Sequence, residues 1–393
     1  MRRMLTAILA ALMLLSLAAC GEETPPTPEE SSPPVQEELP AVEPPPPSTE
    51  PEPIPDPVEK LLGSMTLEQK VGQVFFVRCP AENAAEDVGT YHLGGYILFG
   101  RDTKDRTANE LIQAIQSYQD AADIPLLIGV DEEGGTVVRV SSNPHLRSER
   151  FASPQRLYAL GGMERIVKDA REKDVLLKAL GFNVNLAPVA DVSTDPGDFI
   201  YARSFGQDAA ATAEYVSAVT AQMTADTMGS VLKHFPGYGD NEDTHTGIAV
   251  DERPYEDFAN GDFLPFSAGF ESGGAMTAVL VSHNIVECMD GHLPASLSPN
   301  VHRILREELG FDGVVMTDDL AMEAVSAYAG DGAVAVMALE AGNDLVLTTD
   351  YRTQIPKVIA AVENGDLDEA VIDTACRRVL RWKQALGLLE GLV

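Results

Sequence analysis

Lys233, His234, Asp240, Glu242, Asp243 and His245 crowd one stretch of chain. It reads Lys-His-Phe-Pro-Gly-Tyr-Gly-Asp-Asn-Glu-Asp-Thr-His-Thr-Gly over 233–247. Pro236 and the glycines at 237, 239 and 247 exclude a continuing strand or helix, so the stretch is a loop. An apolar run ending at Leu232 reads as the strand that feeds it. In an extended loop, residues two apart share a side, so Asp243 can accept a hydrogen bond from His245. A carboxylate beside an imidazole fixes its tautomer and favours its charged form, which suits a general acid/base near neutral pH. The same pairing also backs zinc-bound histidines, so it does not choose between acid/base and metal chemistry.

Other polar residues interrupt apolar runs elsewhere. Asp131 opens Asp-Glu-Glu-Gly-Gly-Thr-Val-Val-Arg, Asp191 follows Val184–Leu186, His283 ends Val-Leu-Val-Ser-His, and Asp318 and Asp319 end Val-Val-Met-Thr-Asp-Asp. A lone aspartate after a strand is explained by helix capping. Five strand ends carrying such groups point to a shared site instead. Three chemistries fit: glycoside hydrolysis by a carboxylate and an acid, metal-assisted hydrolysis with His234, His245, Asp240 and Asp243 as ligands, or capture of a sugar or peptide without turnover. The His-x-His and HExxH spacings of metal hydrolases are absent, and none of the four cysteines sits in a CxxC pattern.

The elements that must position these groups alternate. Candidate strands are Val74–Val77, Gly95–Phe99, Leu126–Val130, Val184–Leu186, Ser230–His234, Ala278–Ser282, Gly313–Thr317 and Leu345–Leu347. Helical patterns cover 107–121, 164–180, 209–226, 300–309, 331–341 and 353–363, with a final helix over 368–386. Short apolar strands separated by helices imply parallel pairing with crossovers. Eight such units fit an α/β fold of the (β/α)8 type, a TIM-like barrel forming a single catalytic domain, whose strand ends converge on one rim. A doubly wound sheet is the competing arrangement. Gly134-Gly135 follows a strand, but no dinucleotide fingerprint or phosphate loop completes around it. The basic run Arg377-Arg378-Val379-Leu380-Arg381-Trp382-Lys383 reads as a solvated face that complements the helix dipole.

The chain has 393 residues, net charge −33 and 45% hydrophobic content. That supports a large core and excludes nucleic acid as a partner, because phosphate binding needs Lys and Arg. Residues 1–20 open with Met-Arg-Arg, run apolar and end Leu17-Ala18-Ala19-Cys20, the pattern of a secretory signal. That ending resembles the lipobox of bacterial lipoproteins, which implies cleavage before Cys20 and its lipidation. Residues 21–57 hold fourteen of the 26 prolines and ten acidic residues with no Lys or Arg, a composition expected of a disordered linker. At ~3.1 Å per residue such a tether reaches on the order of 100 Å. The expected organisation is a lipoprotein signal at 1–20, a Pro/Glu-rich linker at 21–57 and a catalytic body at 58–393. The expected location is the extracytoplasmic face of the cell membrane, held by the anchor at Cys20.

The motifs together resemble the β-N-acetylhexosaminidases of glycoside hydrolase family 3, the NagZ-like group. Lys-His-Phe-Pro-Gly-x-Gly with Asp-Thr-His at 233–245 is similar to that group's signature loop, and Thr-Asp-Asp-Leu-x-Met at 317–322 to its nucleophile motif. Asp-Glu-Glu-Gly-Gly at 131–135 with Arg139, and Arg203-Ser204-Phe205-Gly206, also resemble family segments. Tyr238, Thr244 and Glu132 depart from the commoner histidine, serine and glutamine. The resemblance implies retaining hydrolysis of a terminal, non-reducing β-linked N-acetylglucosamine. It implies Asp318 as nucleophile, His245 as acid/base with Asp243 as its partner, and Asp131, Arg139, Arg203, Lys233 and His234 as sugar-binding residues. No metal or organic cofactor is expected. The expected substrate is a peptidoglycan-derived amino sugar, and the expected state is a monomer.

Overall fold

A computed structural model describes residues 56–239, 241, 249–322, 325, 328 and 333–392. Cys20, residues 21–55 of the expected linker, Asp243 and His245 lie outside them; the last two residues of that linker, Asp56 and Pro57, instead cap and open the first helix of the folded body, Pro57–Leu62. Eight parallel strands form the central sheet: β1 (Phe75–Arg78), β2 (Gly95–Leu98), β3 (Leu127–Val130), β4 (Val184–Asn185), β5 (Gly229–Phe235), β6 (Thr277–Val281), β7 (Val315–Thr317) and β8 (Val346–Thr348). Their spatial order is β8-β1-β2-β3-β4-β5-β6-β7. The two ends meet through a parallel bridge between Met316 and Leu345, where Thr317 N donates to Leu345 O at 3.2 Å. The sheet is therefore a nearly closed (β/α)8 barrel, as the alternation of apolar runs and helices predicts. Each expected strand is present within about two residues.

Barrel strands are apolar on both faces because each face is covered. One face of the strands, with Phe76, Ile97, Leu127, Val231, Leu280, Met316 and Leu347, fills the barrel interior. The other face, with Phe75, Tyr96, Ile128, Leu232, Val279 and Val346, packs under the helices. Interior space is tight. A Cβ on Gly129 would lie 2.5 Å from the Phe76 ring and 3.0 Å from Leu186, so only glycine fits on β3 there. Val379, Trp382 and Leu386 of the last helix join the interior cluster and plug one mouth, with Trp382 Nε1 donating to Met276 O at 3.0 Å.

Two expectations change. The helix expected from 164 runs over Pro154–Leu180, broken at Gly161-Gly162, where Gly162 has φ +63. Glycines hide helical periodicity, which is why the first turns escape a pattern search. The basic run of the last helix (Glu369–Ala385) is not simply a solvated face. Arg377 pairs with Glu59 at 2.7 Å and Arg378 with Asp344 at 3.1 Å, while Trp382 and Lys383 are buried. The Arg377–Glu59 pair ties the last helix to the first described one, Pro57–Leu62, across most of the sequence. Cys79, Cys288 and Cys376 are all unbonded thiols.

Lys383 is fully enclosed, and its Nζ donates to Gln73 Oε1 at 2.6 Å. Burial pushes its pKa from 10.5 down to about 7. The unfolded chain then binds a proton through the interval from pH 7 to 10.5 that the folded chain does not, so stability rises with pH across that window. We expect the unfolding free energy of the wild type, relative to Lys383→Met, to rise by roughly 1 kcal/mol per pH unit between pH 7 and 10. Urea unfolding at several pH values checks this, and a pH-independent difference contradicts it.

Candidate active site

The C-terminal ends of the strands surround a cavity of about 720 Å³. Its walls include Asp131 and Glu133 after β3, Lys233 and His234 on β5, Asp318 and Asp319 after β7, and Arg139 and Arg203 from the loops between. The structure thus brings together every described residue singled out from the sequence as nucleophile or sugar ligand.

A continuous polar chain forms one wall. Asp191 Oδ2 accepts from the Nδ1 of His234 at 2.7 Å and from its backbone N at 3.0 Å. That bond sets the tautomer, so His234 Nε2 accepts from Arg203 Nη2 at 3.1 Å. Arg203 grips Glu133 with two bonds, Nε to Oε2 at 3.0 Å and Nη2 to Oε1 at 2.8 Å. Lys233 Nζ bridges Glu133 Oε1 at 2.6 Å and Asp131 Oδ1 at 2.7 Å. Burial opposes the charge on Glu133, but Arg203 and Lys233 outweigh it and hold the carboxyl well below the usual carboxylate range. Burial likewise opposes the charge on Lys233 and Arg203, yet their carboxylate partners raise both above their ordinary values. All three groups are therefore charged at neutral pH, which fixes donors and acceptors before any ligand arrives.

Local structure explains how they are aimed. Glu132 points away from the cavity and is fully buried. It accepts from the backbone N of Arg139 at 2.8 Å and Val140 at 2.7 Å, and from the Ser141 hydroxyl. Asn185 at the end of β4 receives Glu132 N at 3.0 Å. This ties down the loop that presents Glu133 and Arg139. On β5 the pairing register with β6 shifts between Leu232 and Phe235, where the Lys233–His234 peptide is cis, and both side chains reach the cavity.

The two adjacent aspartates separate. Both Asp319 oxygens serve the turn: Oδ1 accepts from Ala321 N at 3.0 Å and Thr349 N at 3.2 Å, and Oδ2 from Thr349 Oγ1 at 2.9 Å. Asp318 Oδ1 accepts from Asp319 N at 2.8 Å, and its half-buried side chain lines the cavity. His283 does not reach the cavity wall. It is buried behind it, with Nδ1 near Ser296 Oγ at 2.7 Å and Nε2 near Asp319 O at 3.2 Å. Asp191 likewise sits behind His234.

Asp243 and His245 are outside the described residues, but the chain on either side of them is held firmly. Arg253 donates to Gly237 O at 3.2 Å on one side, and pairs with Asp251 at 2.8 Å and Asp262 at 2.9 Å on the other. Gly237 has φ +129, and a Cβ there would lie 2.3 Å from Asp262 Oδ1. Asn241 Nδ2 donates to Tyr238 O at 2.8 Å and Asp251 Oδ2 at 2.6 Å. Against the metal alternative, both ring nitrogens of His234 are already engaged by Asp191 and Arg203. The other three ligands of that alternative, Asp240, Asp243 and His245, lie outside the described residues.

Sequence reasoning did not single out Glu133, Arg78, Phe99 or Phe199, all of which line the cavity. Glu133 lay within a recognised acidic motif, but only Arg203, brought in from a distant loop, reveals its position in the network.

A family model described as glycosyl hydrolase family 3 N terminal domain matches residues 66–382. The chain is 32% identical over 315 residues to the Beta-hexosaminidase LpqI of Mycobacterium tuberculosis, covering 77% of this chain and 79% of that one. It is 32% identical over 326 residues to the Beta-hexosaminidase of Thiobacillus denitrificans, covering 76% and 87%. Among solved structures, a glycoside hydrolase family 3 β-N-acetylglucosaminidase from Paenibacillus sp. aligns with a TM-score of 0.76 at 32% identity. The match covers 83% of this chain, which spans only 63% of the Paenibacillus protein. A β-N-acetylhexosaminidase from Beutenbergia cavernae aligns with a TM-score of 0.73 at 31% identity, covering 81% and 99%.

The wall predicts its own energetics. Glu133→Gln leaves Arg203 and Lys233 buried with one carboxylate fewer, which costs about 3–5 kcal/mol of folding stability. Denaturant unfolding measures it; a change below about 1 kcal/mol contradicts the role given to Glu133.

Proposed function

This chain belongs to glycosyl hydrolase family 3, and we propose that within it the protein is a retaining exo-β-N-acetylglucosaminidase acting on peptidoglycan-derived fragments. The observation that carries this reading is the division of the cavity. A charged, pre-ordered wall of Asp131, Lys233, Glu133, Arg203 and His234 faces hydroxyl-sized donors and acceptors inward, and the Asp318 carboxylate stands across from it, two strands beyond β5. The printed names of the Mycobacterium, Thiobacillus and Paenibacillus relatives support the choice of amino sugar.

The sugar ring binds with its hydroxyls and acetamido group against Asp131, Arg139, Arg203, Lys233 and His234. Asp318 attacks the anomeric carbon as the bond to the leaving oxygen breaks, forming a covalent glycosyl-enzyme. His245, oriented by Asp243, gives its proton to that oxygen and later takes one from the attacking water. These two assignments stand on the sequence motif. The wall needs no reorganisation at the moment of reaction, because its charges are already fixed by one another. No step calls for a metal or organic cofactor.

The export pattern ending at Cys20 supports a lipid-anchored enzyme on the extracytoplasmic face, with residues 58–393 as its catalytic body and 21–57 as the tether. No helix among the described residues is long and apolar enough to cross a membrane. Outside the cell, a β-linked N-acetylglucosamine at the end of a wall fragment is the substrate in reach of such a tether. The expected state remains a monomer.

Release of chromophore from an aryl β-N-acetylglucosaminide, against a β-glucoside and with or without phosphate, tests the activity. We expect turnover of the first alone, independent of phosphate. Asp318→Ala lowers kcat by several powers of ten, because the covalent route is lost; wild-type rates in that variant contradict the assignment. His245→Ala slows cleavage of poor leaving groups roughly 10²–10⁴-fold and good ones far less, since only the former need protonation. Equal losses for both count against the acid role.

A further inference from the structure

Among the described residues four cationic side chains line the cavity: Arg78, Arg139, Arg203 and Lys233. Three have carboxylates beside them. Arg203 and Lys233 hold Glu133, Lys233 also holds Asp131, and Arg139 Nη2 lies 3.9 Å from Asp131. Arg78 is the exception. Its side chain makes no hydrogen bond or ion pair with any described residue, and its Nε is buried without a partner. It lies over the Phe99 ring with Cζ 4.4 Å from the centroid. Arg139 leans over the same ring at 5.8 Å, and its Nε is also buried and unpartnered. The Phe99 ring holds the Arg78 guanidinium in place without consuming its donors. A guanidinium so held presents a planar fork that matches a carboxylate.

Position in the barrel says which part of a substrate Arg78 meets. It stands at the end of β1, across the barrel from Lys233 and His234 on β5 and two strands past Asp318 on β7. The polar wall at β3 and β5 grips the hydroxyl-bearing end of the sugar. In the binding mode proposed above the anomeric carbon faces Asp318, so the leaving group would extend toward the neighbouring strand ends, β8 and β1. In a chain of net charge −33, a cavity arginine with no partner among the described residues marks a place where an anion is accepted.

We propose that Arg78, backed by Phe99 and flanked by Arg139, binds a carboxylate carried by the leaving group, which makes the enzyme selective for anionic over neutral N-acetylglucosaminides. This rests on the proposed reading of a peptidoglycan-derived substrate and deepens it. In such fragments the sugar linked to N-acetylglucosamine is N-acetylmuramic acid, whose ether arm ends in a carboxyl group. That group is free in the bare disaccharide and amide-linked when a peptide is attached, in which case the peptide supplies carboxylates of its own.

The test is kcat/KM of the full chain and its Arg78→Gln and Arg78→Lys variants on four substrates. They are β-1,4-linked N-acetylglucosaminyl-N-acetylmuramic acid, its methylamide, its peptide-bearing form, and N,N′-diacetylchitobiose, which has the same linkage but no acid. The wild type favours the free acid over the methylamide. Arg78→Gln lowers the acid-to-chitobiose ratio roughly tenfold to hundredfold, the worth of a charge-assisted bond. The methylamide-to-chitobiose ratio stays within about twofold, and Arg78→Lys recovers part of the loss. If the peptide-bearing form depends on Arg78 as the free acid does, the peptide's carboxylate is also accepted; if only the free acid does, the ether arm is the source. Equal losses on acid and chitobiose, or an unchanged ratio, overturn the proposal. Failure of the wild type on all four while an aryl N-acetylglucosaminide is cleaved overturns the peptidoglycan reading and this proposal with it. No cleavage of any N-acetylglucosaminide overturns the enzymatic reading itself.

Discussion

One carboxylate shared by two buried cations organises the molecule's working end. Glu133 sits between Arg203 and Lys233 with almost no exposure. Burying three charges costs more than their attraction returns unless every remaining donor and acceptor is satisfied. Asp131 takes the second bond of Lys233, and His234 takes the third of Arg203, with Asp191 behind it. Each requirement recruits another strand end, so β3, β5 and the segments carrying Asp191 and Arg203 are fixed relative to one another by charge rather than by packing alone. The apolar barrel beneath supplies the rigid ends on which this is possible.

Much of this was legible in the sequence, for reasons that differ by element. The strands were readable because a barrel strand is covered on both faces and appears as an uninterrupted apolar run. The rim residues were readable because a polar group at the end of such a run has only one mouth to face. What stayed hidden depended on contacts between distant residues. Asp318 and Asp319 are neighbours in sequence, and only the bonds from Ala321 and Thr349 assign Asp319 to the turn. Asp191 and His283 share the rim pattern but stand behind the wall they support. Arg377, Arg378 and Lys383 look alike as a basic run, yet the first two pair with acids far along the chain and the third is buried against Gln73. The helix from Pro154 was masked by Gly161-Gly162, which carry no periodic signal.

Charge in this protein acts at two scales. The strongly acidic chain sets a repulsive background for anions, attenuated by salt within about 10 Å. Inside the cavity the balance is local. Carboxylates and guanidiniums neutralise one another along the wall, Asp318 remains opposite, and Arg78 stands apart on Phe99. The proposed selectivity follows from this arrangement: substrates would be distinguished by where their own charge falls, in addition to their hydroxyls.

We propose that Asp318 attacks the anomeric carbon and forms with it a covalent bond that water then breaks. Two inversions at that carbon restore its configuration. The most direct measurement is proton NMR of the first-formed sugar during rapid cleavage of an aryl β-N-acetylglucosaminide. The account predicts β-N-acetylglucosamine first, with the α-anomer growing in only as the product mutarotates. Initial appearance of the α-anomer would contradict it.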